Sequence, residues 1–312
     1  MIIRLGYVSI SKTLDITSSK SITYTNFKKT NDYEKLNNII IENLTNLDKI
    51  IDYNIKNNIH FYRITSNLIP LATIKDLKFE YINKYKKHYQ KISKKIHKHN
   101  IRIDMHPGEY CVLNSTKKEI VNSSIEILKY HYNILKALNI KEKVIILHIG
   151  SSAFGKENSM KRFINNFNKL PKNLKESIVL ENDDKIYNVK DTLYLCETLN
   201  IPMVLDYHHH ICNNDNDNLE KYLARIFNTW HNITPKIHFS SPKNHTKKEF
   251  RSHHEYIDIT SFMSFLEKIK YLQTNIDIML ECKAKDEALF KLVRQLKYFD
   301  YPFIDDTTIK LK

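Results

Sequence analysis

The chain has 312 residues, 42% hydrophobic and 27% charged, which excludes both a disulfide-stapled mini-protein and a wholly disordered chain. Lys and Arg number 49 against 35 Asp and Glu, a formal charge of +14, so a polyanion is the expected partner and nucleic acid the first candidate.

In chain order the predicted strands are IIRLGYV (2–8), IHFYRIT (59–65), IRIDM (101–105), KVIILHI (143–149), SIVLEN (177–182), PMVLDY (202–207), PKIHFS (235–240) and IDIMLEC (276–282). Their apolar, β-branched character fits strands buried on both faces. Helical patterns fill the gaps at 32–57, 75–99, 116–139, 157–170, 188–199, 217–231, 259–272 and 284–298, with Asn31 and Asp32 marking the first helix start. Eight β–α units in about 300 residues, with no Ser-, Pro- or Gly-rich linker, predict an α/β protein built as a single (β/α)8 TIM barrel over 1–312. An open doubly wound sheet is the alternative, but no GxGxxG follows the first strand to support a dinucleotide site. The only glycines, Gly6, Gly108, Gly150 and Gly155, fall at or just beyond the ends of strands 1, 3 and 4, where steric reasons are expected to hold them.

The four cysteines (Cys111, Cys196, Cys212 and Cys282) include no CxxC pair, which suits a reducing compartment. MIIRLGYVSISK lacks the apolar region of a signal peptide, and no run reaches the roughly 18 apolar residues of a membrane helix. A cytoplasmic, DNA-associated monomer without a membrane segment is expected. Heavy use of Asn, Lys, Ile and Tyr suits an AT-rich genome, cellular or viral.

The strand ends carry the chemistry. Strand 3 runs into Asp104-Met105-His106, strand 4 ends at His148, strand 5 at Glu181, and strand 6 ends at Asp206 before His208, His209 and His210. Strand 7 contains Lys236 and His238, and strand 8 ends at Glu281. In a parallel barrel these ends meet at one mouth. Imidazoles and carboxylates in one cup suit divalent Zn, Mn or Fe, and so many donors imply more than one ion, with Glu181 shared. Paired ions are a common device for phosphoester cleavage. The other histidines, such as His60, His97 and His131, are expected not to be ligands.

RLGYVS (4–9), FYRITSNLIPLAT (61–73), MHPGEYCVLNS (105–115), LHIG (147–150), LENDD (180–184), LDYHHH (205–210), KIHFSSPK (236–243), RSHHEYI (251–257) and LECKAKDEAL (280–289) together resemble the UV damage endonucleases, relatives of the endonuclease IV barrel. The resemblance implies a metal-dependent DNA repair enzyme that incises duplex DNA 5′ to UV photoproducts, leaving a 3′-hydroxyl and a 5′-phosphate without a nucleotide cofactor. It implies two or three manganese ions, with zinc as the alternative, on His106, His148, Glu181, Asp206, His209, His238, His253 and Glu281. Glu181, Glu281, Lys236 and Tyr7 would act in catalysis, with Lys236 carboxylated on its amine. Tyr7, Glu109 and Tyr110 would meet the lesion. Two positions depart from the family pattern: Glu109 stands for a glutamine, and Ile74 for a histidine near the metals.

Basic loops at the mouth supply Lys243, Lys247, Lys248 and Arg251 for DNA phosphates, whereas the lysines of 84–98 are expected on a solvated outer face. Rival functions are an abasic-site endonuclease, a sugar-phosphate isomerase or epimerase, and a catalytically weakened damage-binding protein.

Overall fold

The structure, a computed structural model, describes residues 1–311 apart from 75, 78 and 247. Eight parallel strands close on themselves: β1 (Ile2–Val8), β2 (Phe61–Ile64), β3 (Arg102–Met105), β4 (Ile145–His148), β5 (Ile178–Glu181), β6 (Met203–Asp206), β7 (Lys236–Phe239) and β8 (Ile276–Leu280). The order runs from β2 to β8 and on to β1, which pairs back with β2, so the sheet is the expected (β/α)8 barrel. Each strand lies within two residues of its predicted limits. A short antiparallel strand, β9 (Thr308–Lys310), pairs with Ile2–Arg4 on the side of β1 where β2 has not yet begun.

Around the barrel run α1 (Tyr33–Lys56), α2 (Lys86–Lys98), α3 (Lys118–Ala137), α4 (Lys156–Asn168), α5 (Val189–Leu199), α6 (Glu220–Asn228), α7 (Ile259–Ile269) and α8 (Lys285–Tyr298). Capping sets their starts. Asp32 accepts the Lys35 N–H at 2.8 Å to begin α1, and Asn188 with Asp191 forms a reciprocal capping box at α5. The Lys-rich α2 buries Tyr89, Ile92 and Ile96, while Lys91 and Lys95 pair with Asp48 of α1, so its lysines form the expected outer face. Among the described residues no helix is long and apolar enough to cross a membrane.

Alternation along the strands divides two environments. Leu5, Ile103, Leu147, Leu180 and Leu205 pack in one continuous apolar cluster with the helices. Inside the barrel, Ile146, Val179, Val204 and Trp230 plug one side. The other side is ionic: Asp277 accepts from Arg4 and Arg102 at the base, and Asp104 accepts from Arg63 and Lys236 one layer higher.

The steric expectation for glycine holds at Gly6, at Gly150 and, through its φ of +92°, at Gly155. A Cβ at Gly6 would collide with the Phe61 carbonyl oxygen. Gly150 has φ +110°, and its Cβ would lie 2.6 Å from Asn114 Oδ1. At Gly108 a Cβ would meet nothing within 4 Å, so crowding does not explain that glycine.

Candidate metal centre

The mouth is built on the ionic layer beneath it. Asp104 is fully buried, with Oδ1 2.7 Å from Arg63 Nε and Oδ2 2.6 Å from Lys236 Nζ. Burial alone would raise its carboxyl, but the two cations hold it well below the usual range. Burial pushes the Lys236 amine down to about 7, with Asp104 opposing. Arg63 reaches upward as well: one nitrogen pairs with the Glu281 carboxylate, and another lies 2.5 Å from His238 Nε2.

Above this layer Glu181, 1% exposed, faces two ways. Its Oε2 lies 2.9 Å from His106 Nε2 and 3.6 Å from His148 Nε2. Its Oε1 lies 2.7 Å from His238 Nδ1 and 3.6 Å from His209 Nδ1. Donor atoms of His106, His148 and Glu181 lie within 4.8 Å of one another, as do those of Glu181, Asp206, His238 and Glu281. Glu181 belongs to both groups, and together they gather six of the eight predicted ligands.

Asp206 ends β6 and caps the helical turn Tyr207–Cys212, its Oδ1 accepting the His209 N–H at 2.7 Å. That cap selects one histidine of the triplet. His209 turns to the carboxylates, whereas buried His208 packs against Phe250 with Nε2 3.8 Å from Cys212 Sγ. His253 sits at the rim, its ring 6.0 Å from that of His209.

The residues present fit divalent cations. Among the described residues three carboxylates converge with Arg63 as the one permanent cation paired with them, and Asp206 Oδ2 is buried without a hydrogen-bond partner. Burial, together with the charges of Glu181 and Glu281, raises the Asp206 carboxyl despite His209. Against the cost of burial, Asp206, Glu181 and Glu281 drive His209 up to about 9, so without metal a proton supplies the missing positive charge. Nδ1 of His106, His209 and His253 each meets a backbone carbonyl, of Pro107, Asn182 and Glu281 respectively, at 2.7–2.9 Å. A carbonyl can only accept, so Nδ1 carries a hydrogen in each, and Nε2 is the nitrogen that would meet a cation, the usual arrangement of a ligating histidine.

One expected residue is misplaced. Tyr7 is fully buried and donates to Asn54 Oδ1 of α1 at 2.8 Å, with its ring 5.2 Å from that of Tyr62. Strand alternation puts it on the outer face beside Leu5, with Gly6 inside, so its ring is turned to α1 and away from the ligand groups. Lys236 lies one layer below the ligand groups, on Asp104. Ile74 packs against the apolar core.

The loop after β3 exposes Glu109 and holds Tyr110 80% exposed. Lys243 is exposed but paired with Glu249, Lys248 is exposed, and Arg251 lies 3.7 Å from Asp184. Lys247 lies outside the described residues.

Several supporting groups were not assigned from the sequence. Arg63 and Asp104 tie the site to the barrel interior. Asn182 exchanges two hydrogen bonds with the Asp206 backbone at 2.9 Å and also accepts from His209. His131 contacts Ser66 Oγ at 3.0 Å, and Ser66 donates to the His106 carbonyl. The signals were present: an arginine and an aspartate inside apolar strands, and an asparagine within LENDD.

A (β/α)8 barrel with a histidine–carboxylate cup at its mouth defines the class of barrel enzymes with a metal-type site. The family model for UV-endonuclease UvdE matches residues 3–308. A "UV DNA damage endonuclease" of Bacillus cereus (strain B4264) is 42% identical over 303 residues, covering 95% of each chain. The solved structure described as "Crystal Structure of SacUVDE" superposes with a TM-score of 0.86 at 36% identity, covering 96% of this chain and 99% of that one. Endonuclease IV from Thermus thermophilus shares the fold alone, with a TM-score of 0.58 at 11% identity over 95% of this chain and 97% of that one. The chain belongs to the UV-endonuclease UvdE family.

Proposed function

We propose that the protein is a DNA repair endonuclease that hydrolyses the phosphodiester 5′ to UV photoproducts in duplex DNA, using divalent cations, manganese first. The observation that carries this is Glu181, one carboxylate shared by two groups of donor atoms at a barrel mouth. His106, His148 and Glu181 would hold one cation, and Glu181, Asp206, His238 and Glu281 another, with His209 and His253 alongside. Bound there, such ions supply Lewis-acid stabilisation of the charge that develops on phosphoryl oxygens. Arg63 keeps Glu281 and His238 in register, and the Asp206 cap fixes His209. Tyr110, braced on the loop after β3, stacks in the gap left by an unstacked lesion. Nicking of a UV-irradiated plasmid with added Mn²⁺, and its loss in chelator, tests the reading. Equal incision of an abasic duplex would favour the endonuclease IV type of activity instead.

Two further results are expected. Lys248→Ala with Arg251→Ala should weaken binding to damaged and undamaged duplex alike, lowering the slope of log K against log salt by up to roughly 0.9 per lost phosphate contact. An unchanged slope would place the DNA elsewhere. His209 must also shed its proton to offer Nε2 to a cation. Below about 9 the metal-free ring is protonated, so cation uptake at neutral pH should release close to one proton. Apparent affinity should rise with pH and level off above about 9, as titration in weakly buffered solution would read. No proton release at pH 7 would remove His209 from the ligand set.

A further inference from the structure

The loop after β4 presents an aromatic side chain that none of these roles uses. Phe154 is 80% exposed, the same as Tyr110. It also has φ 61°, a left-handed conformation that disfavours a bulky side chain, followed by Gly155 at φ 92°. Such strain persists only where the surroundings enforce it.

Here they do. Gly155 N–H closes the turn onto the Ser152 carbonyl at 2.9 Å. Ser159 Oγ donates to the Ala153 carbonyl at 3.0 Å, and Asn158 donates to the Phe154 carbonyl at 2.9 Å. Arg162 donates to both the Ala153 and Asn114 carbonyls. Asn114, fully buried, exchanges hydrogen bonds with the backbone of Ser151 at 2.6 and 3.1 Å. It belongs to the same loop as Tyr110, so the two exposed rings stand on adjacent loops that are stitched together beneath them.

Folding gains little from a ring left in water, and glycine or asparagine would fit this backbone with less strain. An exposed ring held by a strained backbone, on the loop tied to that of Tyr110, is placed for contact with something outside the chain. We propose that Phe154 is a second stacking residue for damaged DNA, acting beside Tyr110 on a nucleobase displaced from the duplex. This rests on the function proposed above. A phenyl ring has neither charge nor hydrogen bonds to offer a phosphate, whereas every base presents a π-face. Lys117 and Lys118, exposed where the Tyr110 loop enters α3 and in no ion pair among the described residues, can take the flanking phosphates.

The test compares the parent with Phe154→Ala, Phe154→Tyr and Phe154→Trp in the presence of Mn²⁺ on a short duplex with and without one cyclobutane dimer, with the linkage 5′ to the dimer replaced by an uncleavable one so that no strand is cut. Phe154→Ala should weaken binding to the damaged duplex by about 5–150-fold and change undamaged binding far less, while Phe154→Tyr restores the preference. Trp230, the only native tryptophan, is buried and donates to the Met203 carbonyl, so the added emission of Phe154→Trp should be quenched on the damaged duplex. The thermal midpoint of Phe154→Ala should not fall; if it does, the Tyr and Trp variants decide. Unchanged preference in Phe154→Ala, or unmoved emission in Phe154→Trp, overturns the stacking role alone. A parent without preference for the damaged duplex overturns the proposed function and this role together.

Discussion

Replacing Glu181 with glutamine is expected to keep the barrel folded, to cut incision by at least about 100-fold, and to strip bound divalent cation from the purified protein. Groups that only support a metal ligand commonly cost about 10–100-fold when lost, and Glu181 stands between both sets of donors. The amide keeps the shape, so β5 retains its register with β4, where His148 lies beside residue 181. What disappears is charge. Burial works against the ionised carboxylate, and His238 and His148, with the hydrogen bond from His106, hold it well below its usual range. The same loss should lower the His209 titration from about 9, although Asp206, its largest partner, remains. Incision rate, metal analysis and histidine titration by NMR read the three effects. Parental incision at ordinary Mn²⁺ would remove Glu181 from the centre.

The elements that set the site were legible because several buried strands end directly in a histidine or carboxylate at the mouth. IILH, IVLE and MVLD do this within four residues each. What was not legible depended on direction. In RLGYVS the alternation already assigns Leu5 and Tyr7 to one face and Arg4 and Gly6 to the other, yet motif likeness placed Tyr7 at the mouth. The histidine triplet could not be resolved by spacing, because the Asp206 cap and its half-turn of helix decide which ring faces the carboxylates. β9 has three residues, too few for any periodicity to declare itself. The Arg63–Asp104–Lys236 layer pairs residues from three strands far apart in sequence, so each charge looked isolated until the barrel closed.

That layer leads to a prediction about stability. Asp104→Asn should cost about 3–5 kcal/mol, the range for a buried ionic group that loses one partner, read as a fall in the denaturant midpoint. Arg63 cannot discard its proton, and Glu281 would be left as its principal counter-charge, so the metal centre should loosen with the barrel. Lys236→Met should behave differently. Asp104 would keep Arg63, through Nε at 2.7 Å and Nη2 at 3.3 Å, and the thioether stem fills the same apolar path over Phe61. The lysine itself opposes folding at neutral pH: its amine titrates near 10.5 when unfolded but near 7 when folded. Below about 7 that penalty is complete, and between about 7 and 10.5 it fades as the unfolded chain also loses the proton. Stability of the parent should therefore receive a rising contribution over that interval, which Lys236→Met should lack, while at pH 7 the methionine variant loses far less than Asp104→Asn. If both variants fall equally and the alkaline arm survives in Lys236→Met, the amine does not carry its charge inside the barrel, and the support for Glu281 and His238 must come from Arg63 alone.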